Sequence, residues 1–190
     1  THTLRAQGFD VGEVPGACFC CKFDDLVETA SHLAEDEIPD VIIAEPVGSC
    51  TDLVATVVEP LRHLHGDQYE IGPLAVLLKP EHGRKILGDS PQAGFSPKAA
   101  YIFLKQLEEA DVVVINKIDK LTGSEVEQLR GLIEVRFPEK EIVAMSAREG
   151  DGFAGLTAAL EAESAAHASF MEVDYDVYAA GEAELGWLNS

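Results

Sequence analysis

Three of the four cysteines in this 190-residue chain fall within four positions, at Cys18, Cys20 and Cys21. Thiolates are soft ligands that suit Zn²⁺ and Cu⁺, and also Co²⁺ and Ni²⁺. Adjacent side chains of an extended segment point in opposite directions, so all three sulfurs converge only in a turn, which Pro15 and Gly16 favour. Three protein ligands leave a tetrahedral metal one open position, and a protein that passes its metal on needs that position.

Redox chemistry is the alternative, since two of these cysteines could cycle through a disulfide. A permanent disulfide between such close neighbours would be strained, and no secretory leader opens the chain, so we expect a reducing, cytoplasmic compartment. The fourth cysteine, Cys50, is expected to be a buried thiol rather than a fourth ligand. His63 and His65 are expected at a solvated helix end rather than in a metal site.

A second group of polar residues, Asn116-Lys117-Ile118-Asp119, directly follows the apolar run VVVI. The carboxylate of Asp119 can accept hydrogen bonds from the ring N–H and the exocyclic amine of guanine, a pair that adenine does not offer. The stem of Lys117 can lie over the base, and Asn116 can tie neighbouring loops together. The pattern therefore predicts a guanine-binding loop.

Two weaker patterns follow other apolar runs. Ser146 and Ala147 come after EIVAM, where small residues let backbone N–H groups approach the guanine carbonyl. Glu45 and Gly48 come after VIIA. An acid there can hold Mg²⁺ through water, and a glycine N–H can lie close to a terminal phosphate. Each pattern is weak alone and gains its meaning beside the guanine-binding loop.

The elements that must position these residues alternate along the chain. Apolar runs predict strands at 9–14, 41–44, 74–78, 112–116 and 141–145. Helical patterns predict helices at 25–34, 52–64, 96–107, 124–137 and 153–166, and a polar stretch predicts a loop at 79–95. Capping signals mark three of the helix starts: Asp25 and Ser96 as N-caps, and Ser124 with Glu127 as a capping box. This order predicts an α/β fold, a mostly parallel sheet with helices on both faces, whose ligands bind at the carboxyl ends of the strands.

The tail differs from the rest, because Val173, Tyr175 and Val177 alternate with acids as in a half-buried strand. It is either an edge strand of the same domain or the start of a second one. The net charge of −20 disfavours nucleic-acid and anionic-membrane partners, and no apolar run is long enough to span a bilayer.

Taken together, VIIAEPVG, VVVINKID, MSA and the CFCC cluster resemble the CobW/HypB/UreG family of P-loop GTPases, in particular its CobW-like metal-insertion and metallochaperone branch. The resemblance extends from about Phe9 to Ala166. It implies that magnesium and the γ-phosphate lie at Glu45 and Gly48, that guanine is read by Asn116, Lys117 and Asp119 beside Ser146 and Ala147, and that the transition metal is bound by Cys18, Cys20 and Cys21.

Two departures from the family pattern stand out. Ala17 separates Gly16 from the first cysteine, so the family's GCxCC becomes GACxCC. No GxxxxGK[ST] phosphate-binding loop occurs in the 190 residues. The family places that loop after its first strand, so we expect both upstream of Thr1 in a longer parent chain, with 1–168 an incomplete GTPase domain and 169–190 its tail.

The resemblance implies a GTP-binding metallochaperone that couples GTP hydrolysis to delivery of Zn²⁺, Co²⁺ or Ni²⁺, with Zn²⁺ preferred. The metal would pass to a client protein or cofactor. GTP and Mg²⁺ are the implied cofactors, a homodimer is suggested by analogy, and efficient hydrolysis is assigned to the parent chain. The alternative is a non-catalytic metal-binding or interaction module with a degenerate nucleotide site.

Overall fold

The computed structural model describes residues 2–35, 37–88, 96–162 and 171–186. Within these ranges the strands β1 (Ala75–Leu78), β2 (Val112–Ile115) and β3 (Glu141–Ala144) form one sheet in the order β1-β2-β3. Both pairs are parallel, and Leu78, Ile115 and Ala144 are paired in register. The carboxyl ends of all three strands therefore meet at one edge, as predicted for an α/β fold.

Helices surround this sheet. They are α1 (His2–Ala6), α2 (Phe23–Leu33), a π-helical turn (Val54–Val58), α3 (Glu59–His65), α4 (Pro80–Leu87), α5 (Pro97–Glu109), a 3₁₀ turn (Ile118–Lys120), α6 (Gly123–Arg136), α7 (Phe153–Glu161) and α8 (Tyr175–Gly186). None of the helices in the described ranges has both the length and the hydrophobicity needed to cross a lipid bilayer.

Alternate residues of β2 pack on opposite faces of the sheet, and all four are buried. Val113 and Ile115 join a core with Leu107 of α5 and with Leu129 and Ile133 of α6. On the other face, Val112 and Val114 pack with Val143, Met145 and Ala159 of α7. Helices thus cover both faces, which confirms the predicted α/β fold and explains why β2 reads as a continuous apolar run.

The predicted strands at 9–14 and 41–44 are wrong, because neither segment is a strand. Val41 and Ile43 are 73% and 86% exposed. Strand propensity depends on packing against neighbours, and a strand forms only where another strand satisfies its backbone groups. No described strand pairs with either segment.

The predicted loop at 79–95 is also corrected, since Pro80–Leu87 forms helix α4 and 89–95 lie outside the described residues. Proline is favoured in a first helical turn because its missing N–H is not needed there. One of the glycines in the predicted loop, Gly83, is instead a packing residue. A Cβ on Gly83 would lie 2.9 Å from Leu129 Cδ1, so the glycine lets α4 approach α6.

Helix boundaries follow capping chemistry, in some cases at other residues than predicted. Ser96 caps α5 as expected, accepting a hydrogen bond from the Ala99 N–H at 3.1 Å. The capping box of α6 is formed by Thr122 and Glu125, two residues before the predicted Ser124–Glu127 pair. The spacing is the same in both, so the sequence alone did not separate the two sites.

Two further helix starts also differ from expectation. Helix α2 begins at Phe23, and Asp25 lies inside its first turn, 2.8 Å from the Lys22 ammonium, rather than at the N-cap. The helix predicted at 52–64 divides into a π-helical turn and α3, with Pro60 in the first turn of α3. Proline cannot donate a backbone hydrogen bond, so the regular helix starts anew at this point.

The tail is not an edge strand, because residues from Tyr175 form helix α8. Gly181 is buried against α5, and a Cβ there would lie 2.8 Å from both Ile102 Cδ1 and the Lys98 carbonyl oxygen. Val177 and Gly181, four residues apart, share one face of the helix. The predicted helix at 153–166 is described only as far as Glu161, and its last residues lie outside the described ranges.

Candidate metal and nucleotide sites

The three clustered cysteines lie on one tight turn. The backbone N–H groups of Cys21 and Lys22 both donate to the Cys18 carbonyl, each at 3.1 Å. Gly16 enters this turn with a φ of 86°, which glycine adopts without steric cost. The Sγ atom of Cys18 lies 2.8 Å from that of Cys20 and 3.2 Å from that of Cys21. The turn predicted from Pro15 and Gly16 therefore brings the sulfurs together.

The spacing of these sulfurs fits a transition metal. All three Sγ atoms lie within 4.8 Å of one another. Tetrahedral Zn²⁺ with Zn–S bonds of about 2.3 Å spaces its sulfurs roughly 3.8 Å apart. The Cys20–Cys21 separation is already 3.9 Å, so only Cys18 has to move, by about 1 Å, to admit the ion.

The cysteine turn rests on a small apolar core. Cys18, Cys20 and Phe19 pack against the buried residues Cys50, Leu53 and Val57 at the start of the π-helical turn. Cys50 is 2% exposed, as expected for a buried thiol, and it packs against Cys18. Cys21 lies on the solvent side, and none of the four cysteines forms a disulfide. The cluster is thus fixed on one side and open on the other.

The thiols influence each other's ionisation. Burial raises the pKa of Cys20, and its hydrogen bond with Cys18 raises it further. For Cys18 burial also acts upward, but hydrogen bonds with the Cys20 and Cys21 thiols outweigh it and leave the pKa below its ordinary value. Burial raises the pKa of Cys50 to about 12. Cys18 is therefore the first of these thiols to become a thiolate, the form that binds metal.

The predicted guanine-binding residues meet where β2 and β3 end. Ser146, fully buried, donates from Oγ to Asp119 Oδ1 at 2.6 Å. The Ala147 N–H donates to Asn116 Oδ1 at 3.0 Å. Lys117 adopts a left-handed φ of 65°, which is uncommon outside glycine and marks a constrained loop. Two loops far apart in sequence thus form one polar surface.

This surface is suited to an acceptor role. The hydrogen bond from Ser146 is the main cause that holds the pKa of Asp119 below its ordinary value, so the side chain is ionised at neutral pH. Asp119 is exposed, and an exposed carboxylate keeps lone pairs free for further donors. Asn116 accepts from the Lys117 N–H at 2.7 Å as well as from Ala147, which is the loop-tying role expected of it.

Glu45 and Gly48 lie on exposed chain after the segment predicted as a strand. Their segment is anchored by Gln106 of α5, whose Nε2 donates to the carbonyls of Gly48 and Cys50 at 2.9 and 2.8 Å. Glu45 is not among the side chains grouped with the three sulfurs. The roles predicted for Glu45 and Gly48 stay predictions, and Gln106 is a positioning residue that the sequence did not indicate.

A buried acidic pair next to this segment was also missed. Glu109 is 6% exposed and accepts from the Val54 N–H at 2.5 Å, at the start of the π-helical turn. Burial raises the pKa of Glu109 to about 7. Asp52 has a φ of 60° and accepts a hydrogen bond from the Tyr175 hydroxyl. In sequence, Glu109 belongs to an acidic run that is typical of a solvated helix face, so no signal marked it as buried.

These features define the class of protein: an α/β nucleotide-binding domain of the P-loop type, with a cysteine cluster beside its sheet. The sequence model of the CobW/HypB/UreG nucleotide-binding domain matches residues 1–144, and the chain belongs to this family. Searches of curated proteins and of solved structures found no significant match. The matched span includes the cysteines, Glu45–Gly48 and Asn116–Asp119, but ends before Ser146, Ala147 and α8.

Proposed function

We propose that this chain is the core of a GTP-dependent metallochaperone that delivers a transition metal, Zn²⁺ first, to a client protein or cofactor. The observation that carries the proposal is the convergence of the Cys18, Cys20 and Cys21 sulfurs on one exposed turn. Three thiolates hold a soft cation and leave one coordination position for an incoming client ligand. The free thiols suit a reducing compartment such as the cytoplasm.

The chain's own contacts link the metal to the nucleotide segment. The side chain of Cys50 packs against Cys18, and the Cys50 carbonyl accepts a hydrogen bond from Gln106. Gly48 is held by the same glutamine side chain. A movement of 45–50 when a terminal phosphate is bound or lost would therefore reach Cys18 through two residues. Ordering and release of such a segment is a known way to switch affinity.

Guanine recognition belongs to the other end of the site. Asp119, held by Ser146, accepts from the base, and the Ala147 N–H and Asn116 fix the relative positions of the two loops. Mg²⁺ would be held near Glu45, usually through water. Hydrolysis of GTP to GDP and phosphate would supply the free energy, and the residues of this chain would bind and orient the nucleotide.

The metal site is tested by Zn²⁺ titration of the purified chain against a chromophoric chelator. One equivalent of tight binding is expected. The triple variant Cys18→Ser, Cys20→Ser, Cys21→Ser should lose it, while Cys50→Ser, the matched control, should retain a metal site. Unchanged binding in the triple variant would refute the site.

The nucleotide site is tested by NMR, which detects weak binding to the chain as it stands. Amide shifts of 116–119 and 146–147 should move on adding GDP and not ADP. Asp119→Asn should change the preference from GDP to xanthosine diphosphate. Xanthine has a carbonyl where guanine has its amine, and the amide N–H of asparagine can donate to that carbonyl. Equal responses to GDP and ADP would contradict guanine recognition.

A metal-binding module without catalysis is the second candidate. It is favoured by the exposure of 41–48, since a segment outside the sheet is poorly placed to hold a phosphate. It predicts the same Zn²⁺ titration, unaffected by guanine nucleotides, and no GDP-dependent shifts. A client protein and a homodimer remain part of the first proposal only.

A further inference from the structure

One charged side chain faces the cysteine cluster from a distant part of the sequence. Glu182, on helix α8, lines the same open cleft as Cys18 and Cys21. The other residues lining this cleft are glycine or apolar, namely Val14, Gly16, Ala17 and Val47. Among the described residues that line this cleft, Glu182 is therefore the only one besides the cysteines whose side chain can bind a metal.

The Glu182 carboxylate is held in place by the hydroxyl group of Ser49. Ser49 Oγ donates to Glu182 Oε1 at 3.0 Å, and Tyr178 lies one helical turn earlier on the same helix, close enough for the charge of Glu182 to act on its hydroxyl. Burial and the charge of Glu182 raise the pKa of Tyr178, so this hydroxyl keeps its proton and remains a donor. Carboxylates that bind metals are commonly oriented by such a hydrogen bond, and a carboxylate has lone pairs left after accepting one.

The position of Glu182 also matches what the cysteines lack. Three thiolates leave a tetrahedral cation one position, and a carboxylate oxygen is an accepted zinc ligand. The other candidate for that position, Cys50, is packed against Cys18 and 2% exposed, whereas Glu182 lines the open cleft. The Glu182 carboxylate is not within 4.8 Å of all three sulfurs, so Glu182 and the cysteine turn have to move closer together when the metal binds. Glu182 and the nearby thiolates repel one another, and a divalent cation between them turns this repulsion into attraction.

Helix α8 has its own attachments close to the site. Gly181 packs on Ile102 of α5, and the Tyr175 hydroxyl donates to Asp52, three residues after Ser49. Helix α8 is thus attached to α5 through Gly181 and to residues 49–52 through Tyr175 and Glu182. The family match ends at residue 144, so it assigns no role to α8.

We propose that Glu182 provides the fourth ligand of the metal bound by Cys18, Cys20 and Cys21, so that metal binding fixes α8 against the cysteine turn. This inference rests on the proposed metal site. When a client ligand replaces Glu182 on the metal, α8 is no longer held against the cysteine turn. The position of α8 therefore differs between the metal-bound and the metal-free chain.

The test compares Glu182→Gln with Glu184→Gln, which removes the same charge from the same helix at a residue bonded to Ser96 and lying 3.8 Å from Lys98. Zn²⁺ affinity is measured by chelator competition, and hydrogen exchange of 175–186 is measured with and without Zn²⁺. We expect Glu182→Gln to weaken Zn²⁺ binding about 10- to 100-fold, and Glu184→Gln to leave it within about twofold. Zn²⁺ should slow exchange in α8 of the wild-type chain and not of Glu182→Gln.

The outcomes separate this inference from the function on which it rests. Equal Zn²⁺ affinities of the two glutamine variants, with α8 exchange insensitive to Zn²⁺, overturn the role of Glu182 while the cysteine site stands. A wild-type chain that binds no Zn²⁺ overturns both. Circular dichroism of each variant checks that α8 still folds, and Ser49→Ala, which removes one orienting hydroxyl, should weaken Zn²⁺ binding by less than Glu182→Gln does.

Discussion

The two ends of the proposed site are built differently. The proposed guanine-binding loops follow β2 and β3. The central residues of β2, Val113 and Val114, are fully buried, and this strand is paired on both sides. The cysteine turn and the segment that contains Glu45 are not supported in this way. Neither 9–14, before the cysteines, nor 41–44, before Glu45, forms a strand, and Ile43 is 86% exposed. The sheet therefore supports the loops after β2 and β3, whereas side-chain contacts support the cysteine turn.

This difference corresponds to two tasks. A base-reading loop must present fixed donors and acceptors, so a rigid support is useful there. A site that binds and releases a metal must change its geometry, and segments with few buried contacts do so at low free-energy cost. The two supports meet at α5, which packs on the sheet through Leu107 and bonds to Cys50 and Val54 through Gln106 and Glu109.

The largest expected contrast is between Ile115→Ala and Ile43→Ala. Ile115 is 0% exposed in the sheet core, so its truncation should lower the free energy of unfolding by about 2 to 5 kcal/mol. Ile43 is 86% exposed, and its truncation should change the free energy by under about 0.5 kcal/mol. Urea unfolding measures both. Similar losses would show that 41–44 is buried in solution.

The next effect concerns pH. Because burial raises the pKa of Glu109 to about 7, with Asp52 adding to the rise and Lys140 opposing it, the folded chain holds this proton more tightly than the unfolded chain. Its contribution is full below the ordinary glutamate value and is lost as pH rises through about 7. The loss is on the order of 2 to 3 kcal/mol.

Glu109→Gln should flatten this dependence, since the amide oxygen can still accept from the Val54 N–H without ionising. The measurement is the urea midpoint between pH 5 and about 8 for both chains. Glu108→Gln, an exposed neighbour, is the control. A variant that keeps the wild-type slope would assign the pH dependence to another group.

A smaller effect is expected from Gly181→Ala. The added Cβ would lie 2.8 Å from Ile102 Cδ1 and from a backbone oxygen of α5, so α8 must shift. We expect a loss of about 1 to 2 kcal/mol and faster hydrogen exchange in α8, with shifts at 116–119 unaffected. Gly123→Ala, where a Cβ meets nothing within 4 Å, is the matched control. Perturbation of the guanine-binding loops by Gly181→Ala would show that the two ends are not independent.

The smallest effect is that of a helix cap on the rigid side. Thr122→Ala removes the hydroxyl that accepts from the Glu125 N–H and should cost about 1 kcal/mol. Ser124→Ala, at the cap that the sequence favoured, should cost less than about half as much. Thermal unfolding distinguishes them, and the reverse order would restore the cap predicted from the sequence.

Much of the structure around β2 and the loop that follows it could be predicted from the sequence. The run VVVI is buried on both faces because each residue has a helix on one side or the other, and Asn116 to Asp119 follow it at once. On the cysteine side the same method placed a strand at 41–44 that does not form. Its composition suits a strand equally well, but pairing depends on a neighbour that local composition does not encode.

By itself the sequence determined the features that act within one turn of chain: three sulfurs close enough to share a cation, the polar loop from Asn116 to Asp119 directly after a buried strand, and a serine that caps a helix. Only the tertiary structure decided that Glu109 is buried, that the tail is a helix, and that Glu182 lies at Ser49, 133 residues away along the chain. Short-range geometry follows from bond angles and helix periodicity, whereas distant partners depend on which surfaces remain to be covered once the sheet has formed.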